Sequence, residues 1–251
     1  MAGHSRWHNI RERKTKQDAR KGQIFSKLVR EITVAVRQGG PDPDANPRLR
    51  MAIERARSFG MPMDNIQRTI QRAAGGGAEA AKLEEVTYEG YGPHGVAFML
   101  QVVTDNRNRA VAEIRRIFQQ NGGSLGESGC VSWLFERKGV IVVEKSEVDE
   151  DTLLELALDA GADDVNVEDT YYEIYTAPDK LHDVKEQLEG KGVKVSSADI
   201  AMIPKNRVKL DGQAAKQVLK LFEALEEHEE VQRVDANFDI PEEILEEVAA
   251  G

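Results

Sequence analysis

The opening stretch of this chain sets the strongest limit on how it can fold. Residues 2–22, AGHSRWHNIRERKTKQDARKG, contain only two large apolar side chains, Trp7 and Ile10. Apolar surface this sparse cannot offset the entropy of ordering, so an extended arm is expected, with packing beginning after it. Charge marks a related division. Residues 1–75 carry 16 Lys and Arg against 7 Asp and Glu, a balance of +9. The whole chain is −10, so residues 76–251 hold −19. A basic head on an acidic remainder suits contact with a polyanion at one end only.

The arm supplies the chemistry for such contact. Arg6, Arg11, Arg13, Lys14, Lys16, Arg20 and Lys21 are candidate phosphate contacts, since cationic side chains on an extended segment can follow a sugar-phosphate backbone. Trp7 and His8 add flat rings for stacking on exposed bases, worth about 1–3 kcal/mol per base. His4 and His8 have a His-x-x-x-His spacing, but no helical pattern surrounds them and no third ligand lies near, so no metal site is expected.

From Ile24 the pattern becomes helical. Ile24, Phe25, Leu28, Val29, Ile32, Ala35 and Val36 form one apolar stripe, with Lys27, Arg30 and Arg37 on the opposite face. Lys27 and Arg30 are expected to continue the phosphate-binding track. The run from Gly39 to Asp44 breaks this helix. Asn46 then caps a second one with Pro47 at its first position, and a third begins near Pro62. Arg48, Arg50, Arg55, Arg57, Arg68 and Arg72 decorate these two helices. The first connection is too long and Pro-rich for a helix-turn-helix.

After Gly75-Gly76-Gly77 the pattern is mixed. Glu85–Tyr91 and Val96–Thr104 read as strands around Gly90-Tyr91-Gly92-Pro93-His94-Gly95. That string matches G-x-G-x-x-G, but a dinucleotide site needs a helix to follow it, and a strand-like run follows here, so a hairpin turn is expected. Asn106 to Arg109 opens a helix to about Gln120, and Val131–Glu136 reads as a strand. Then come Val140–Glu144 (strand), Asp149–Ala160 (helix), Val165–Glu168 and Tyr171–Thr176 (strands), Pro178–Glu189 (helix) and Val193–Ile203 (strand). This is the β-α-β-β-α-β order of a ferredoxin-like fold. A helix from Gln213 to His228 and a strand at Val231–Phe238 are placed to complete the earlier, unfinished sheet.

The fold class is therefore α+β: an N-terminal helical domain followed by two α/β domains with ferredoxin-like order, the last inserted in the other. The expected divisions are 1–78, then 79–137 with 205–251, and 138–204 as the insert. Cys130 is the single cysteine and reads as a small core residue at a strand start, with no disulfide framework. No apolar run suits a membrane span and no signal peptide is recognisable, so a cytoplasmic, non-membrane protein is expected. No Walker, His-Glu-x-x-His, Cys-x-x-Cys or G-x-S-x-G pattern occurs, so no enzyme activity, catalytic residue, cofactor, metal or small-molecule substrate is expected.

Several separate motifs resemble the YebC family. They are Ala2-Gly3-His4-Ser5-Arg6-Trp7, the run Lys21 to Ile32, Pro43 to Arg50, Tyr88-Glu89-Gly90-Tyr91-Gly92-Pro93, and Thr104-Asp105-Asn106-Arg107-Asn108-Arg109. Arg6 stands where the family commonly has Lys, which preserves charge. The resemblance implies three domains, the second discontinuous, and a cytoplasmic regulator of gene expression. Bacterial members are usually described as DNA-binding transcriptional regulators. Others resemble translation factors acting on the ribosome, at ribosomal RNA near its peptidyl-transferase centre, during stretches such as consecutive prolines. On that second reading Gly3 to Lys21 inherit the ribosome-probing role. The expected partner is nucleic acid, either DNA or ribosomal RNA, with the ribosome as the alternative setting.

Overall fold

A computed structural model of the chain describes residues 21–76, 83–241 and 244–245. Three helices come first: α1 (Lys21–Gly39), α2 (Pro47–Ser58) and α3 (Met63–Ala74). Leu28, Ile32, Ala35 and Val36 of α1 close against Leu49, Ala52 and Ala56 of α2 and Ile66 and Ala73 of α3. Val29, placed in this stripe by spacing, is 39% exposed; Thr33 is buried instead, its hydroxyl donating to the Val29 carbonyl one turn back. Asn46 fixes the turn between the first two helices. Its Oδ1 accepts the Leu49 N–H at 3.1 Å, while its Nδ2 donates to the carbonyls of Ala35 and Gly40, both at 2.8 Å.

The body that follows is built on β1 (Glu84–Tyr91) and β2 (Ala97–Thr104), an antiparallel hairpin running from Glu84 opposite Thr104 to Tyr91 opposite Ala97. Residues 93–95 form a tight turn and β2 follows at once, so the glycine string serves a hairpin. Gly92 is required there by close approach: a Cβ would lie 2.5 Å from the Phe98 ring. After α4 (Arg107–Gln120), the short β3 (Ser124–Leu125) pairs with β1. The sheet is finished late in the chain, by β9 (Val231–Ala236) on the free edge of β2, in the order β3-β1-β2-β9. Phe98, Phe118, Phe222 and Phe238 are fully buried in the core between this sheet, α4 and α7 (Gly212–Glu227). Phe98 meets Phe118 edge-on at 5.9 Å, and Phe222 meets Phe238 likewise at 5.6 Å, the arrangement that ring quadrupoles favour. The short strands β8 (Val208–Lys209) and β10 (Phe238–Asp239) form a separate parallel pair.

Residues 134–205 form the other compact unit, whose ends meet where the Lys205 N–H donates to the Leu134 carbonyl at 2.8 Å. It holds β4 (Phe135–Glu144), α5 (Glu150–Asp159), β5 (Asp164–Val167), β6 (Tyr171–Thr176), α6 (Leu181–Gly190) and β7 (Val195–Pro204), with sheet order β5-β6-β4-β7. The two separate strands expected at 131–136 and 140–144 are in fact one ten-residue strand, while residues 132–134 make a helical turn. Lys138-Gly139 reads as a break but is interior to β4. Gly139 is there because a Cβ would lie 2.3 Å from Thr176 Oγ1 and 3.0 Å from Leu181 Cβ, so its absence lets α6 close on the sheet. Asp149 caps α5, accepting the Thr152 N–H at 3.0 Å.

Candidate nucleic-acid interface

Arg6, Trp7, Arg11, Arg13, Lys14, Lys16 and Arg20 lie outside the described residues, and Lys21 opens α1. Lys27 and Arg30 are described, and both turn toward the last residues of α7 and just beyond. Lys27 Nζ donates to the Glu226 carbonyl at 2.5 Å; Arg30 donates to the Glu229 carbonyl at 2.7 Å and to its carboxylate at 2.8 Å. Cations suit this place because the final carbonyls of a helix carry its negative end. Further polar ties run from the head to β1. Arg37 donates to the Leu83 carbonyl at 2.6 Å, and Arg48 engages Gln38 and the Glu85 carboxylate. Each tie at an exposed site contributes only about 0–1 kcal/mol.

The outward face of α3 carries a different set. Gln67, Arg68, Gln71 and Arg72 are all exposed and recur at helical spacing, with Arg57 exposed in the last turn of α2. Arg and Gln are side chains able to pair with guanine and adenine edges, and this face sets positive charge beside exposed amide groups. The arginines were visible in the sequence as decoration of the helices. Their grouping with the two glutamines emerges only once the buried side of α3, through Ile66, Thr69 and Ala73, is known.

A second polar cluster joins α4 to the loop after α7. Asn106 caps α4 by accepting the Arg109 N–H at 3.1 Å. Arg109 bridges Asp105, at 2.7 Å, and the buried Glu230, which together hold its guanidinium more firmly protonated. Thr104 donates to the same Glu230 oxygen at 3.0 Å, and the other oxygen, Oε2, is buried without a hydrogen-bond partner among the described residues. Glu113, His228 and Glu230 lie close enough to suggest a metal site. The donor set argues otherwise. His228 Nδ1 accepts the Glu230 N–H at 3.2 Å, which puts the ring proton on Nε2, where it donates to Glu113 at 2.8 Å. A metal on Nε2 would displace that proton and leave both ring nitrogens as acceptors. Arg109 already supplies the positive charge. These residues fit a network of ion pairs and hydrogen bonds that joins β2, α4 and the start of β9.

Glu89 anchors the loop that leads out of this body. Its carboxylate accepts N–H groups from Gly129 (2.9 Å), Val131 (2.8 Å) and Ser132 (2.9 Å). Burial acts to raise its pKa, but these bonds outweigh it and the net shift is downward. Tyr91 Oη and Trp133 Nε1 both donate to the Cys130 carbonyl, at 3.2 and 3.1 Å, although Trp133 remains 63% exposed. Cys130, expected in a strand core, is instead half-buried in this loop. Burial, followed by the charges of Glu89 and Glu127, pushes its thiol up, which keeps it a poor nucleophile. Among the described residues no helix is long and apolar enough to cross a membrane.

Comparison with known proteins adds a family. Residues 5–76 match the family described as "TACO1/YebC protein N-terminal domain", and residues 83–238 match "TACO1/YebC second and third domain". A protein of Halothermothrix orenii named "Probable transcriptional regulatory protein" is 54% identical over 251 residues, covering 99% of each chain. One of Dictyoglomus turgidum with the same name is 53% identical over 250 residues, covering 99% of this chain and 100% of that one. Among solved structures, the conserved hypothetical protein Aq1575 of Aquifex aeolicus superimposes with a TM-score of 0.83 at 53% identity, covering 91% of this chain and 94% of its own.

Proposed function

The chain belongs to the TACO1/YebC family, and from that premise we propose that it is a non-catalytic, nucleic-acid-binding regulator of gene expression, of the DNA-binding transcriptional type. The observation that carries this reading is the excess of 16 cations over 7 acids in residues 1–75, set on a chain that is otherwise strongly acidic. The names of the bacterial relatives support it. Arg6, Arg11, Arg13, Lys14, Lys16, Arg20 and Lys21 contact phosphates and position the protein, and Trp7 stacks. The exposed Gln67, Arg68, Gln71 and Arg72 on α3 favour duplex DNA, because they offer a helix face that reaches base edges. Lys27 and Arg30 join the phosphate track only if they exchange their partners near the end of α7 for phosphate oxygens.

A second reading is favoured by the arm's composition. A basic segment with Trp7 and His8 suits the irregular surfaces and unpaired bases of folded RNA, as on a ribosome. Cross-linking the protein to nucleic acid in cells and sequencing what is attached separates the two. Discrete promoter segments are expected. Recovery of ribosomal RNA in their place would overturn the transcriptional reading and establish the translational one, and recovery of neither would remove both.

A further inference from the structure

Helix α5 of the inserted unit buries one side and leaves another uncovered. Leu153, Ala157 and Ala160 are buried. Leu154 and Leu158 are not: they are 39% and 75% exposed. Their spacing of four puts them in one row along the helix. A lone exposed leucine is ordinary on a protein surface, but two stacked a turn apart make an apolar ridge. Val167 of the edge strand β5 is exposed too. It lies on the same side of the sheet as α6, which packs beside α5. Register sets it opposite Tyr172, which shares a face with Thr176, and the Gly139 paired with Thr176 faces Leu181 of α6. A second row runs beside the leucines: Asp151, Glu155 and Asp159 are exposed and also four apart. Residues 149–169 contain nine Asp and Glu and no Lys or Arg. Lys191 offsets one of these charges, 3.5 Å from Asp159.

Charge selects what can cover the ridge. Nucleic acid and anionic membrane surfaces carry the same sign as the carboxylate row and are repelled. A second copy docked about a two-fold axis would set one acidic row against another. What fits is a helix with an apolar stripe for the leucines and Lys or Arg beside that stripe. We propose that this side of α5 is a docking surface for a basic amphipathic helix of a partner protein. Leu154 and Leu158 supply the apolar centre of the contact, and Asp151, Glu155 and Asp159 steer and orient the approach. The contact is small, so the complex is weak and readily reversed. This inference does not depend on the arm or on nucleic-acid binding; it adds a protein partner to the regulator proposed above.

Leucine-methyl spectra of the intact protein, titrated with a synthetic peptide, test this. The peptide carries leucines at helical positions i, i+3, i+4 and i+7 with lysines beside them; its counterpart has glutamate for each lysine. At low salt the basic peptide should shift the Leu154 and Leu158 resonances. Leu49 and Leu219, buried in the other cores, should stay in place. The acidic counterpart should shift none of them. The L154Q/L158Q variant changes exposed positions to a residue that helices accept, so its circular dichroism should match the wild type. Its affinity for the basic peptide should fall about 10-fold. E155K should weaken the same peptide about 3-fold, the size expected of an exposed charge pair. An equal response to both peptides, shifts at other leucines only, no shift at all, or unchanged affinity in a folded L154Q/L158Q variant overturns the proposal. Sedimentation tests the second copy: a wild-type dimer that L154Q/L158Q converts to monomer assigns the ridge to self-association and also overturns it.

Discussion

Asn46 illustrates how much one buried amide carries. Its oxygen serves as the cap of α2 and its nitrogen ties down two carbonyls, Ala35 in α1 and Gly40 just beyond it. Substitution by Ala is expected to cost about 2–3 kcal/mol, the cap contributing about 1 and the stranded carbonyls the remainder. Asn46→Asp separates the two roles. It keeps the acceptor for Leu49 but turns a carboxylate toward two carbonyls, so it should be less stable than Asn46→Ala at neutral pH. The folded state would raise that carboxyl's pKa, so the deficit should shrink as acidification protonates it. Urea unfolding followed at amides of α1 and α2 reads both effects. Half of this residue was legible in the sequence. Asn before Pro at a helix start marks a cap through local geometry alone, whereas the donors' targets lie 6 and 11 residues back and depend on how two helices meet.

At the scale of elements, Glu89 couples β1 to the loop through residues 129–132 by three N–H bonds. Because its pKa is lowered in the fold, the stabilisation is complete at neutral pH. It is lost as the pH falls through the depressed folded value, the direction opposite to that for a group whose pKa is raised. Glu89→Gln keeps the shape but removes the charge and leaves one oxygen for three donors. Amide exchange at Val131 and Ser132 in that variant is expected to speed up at least 10-fold at neutral pH, a local opening easier by about 1.4 kcal/mol, with exchange in β2 unchanged. Equal protection in both proteins would show that the loop is held by other contacts. The elements were legible where periodicity was long and the caps clear, as in α1, α4 and β2. Reading failed where a glycine served close packing. Gly139 suggests a break by composition, yet its missing side chain admits Thr176 and Leu181 and lets β4 run through. Helical spacing shows which residues of α1 turn from the apolar core of the head, Lys27 and Arg30 among them, and no more than that. It does not show that Lys27 and Arg30 meet the region where α7 ends.

Over the whole molecule, charge is the organising quantity. A head of +9 and a remainder of −19 were readable by counting, and so was the discontinuous order in which β9 completes a sheet begun by β1 and β2. Grouping in space was not readable, because the α3 face depends on which side of that helix is already covered. The central claim is that residues 2–20 supply most of the phosphate contacts. It is tested most directly by measuring affinity for a DNA duplex across a range of salt concentrations, for the intact protein and for one lacking those residues. Seven phosphate-bound cations give a logarithmic salt slope of about −6, and removal of six of them should make it shallower by about 5. The same slope with and without the arm would contradict the account.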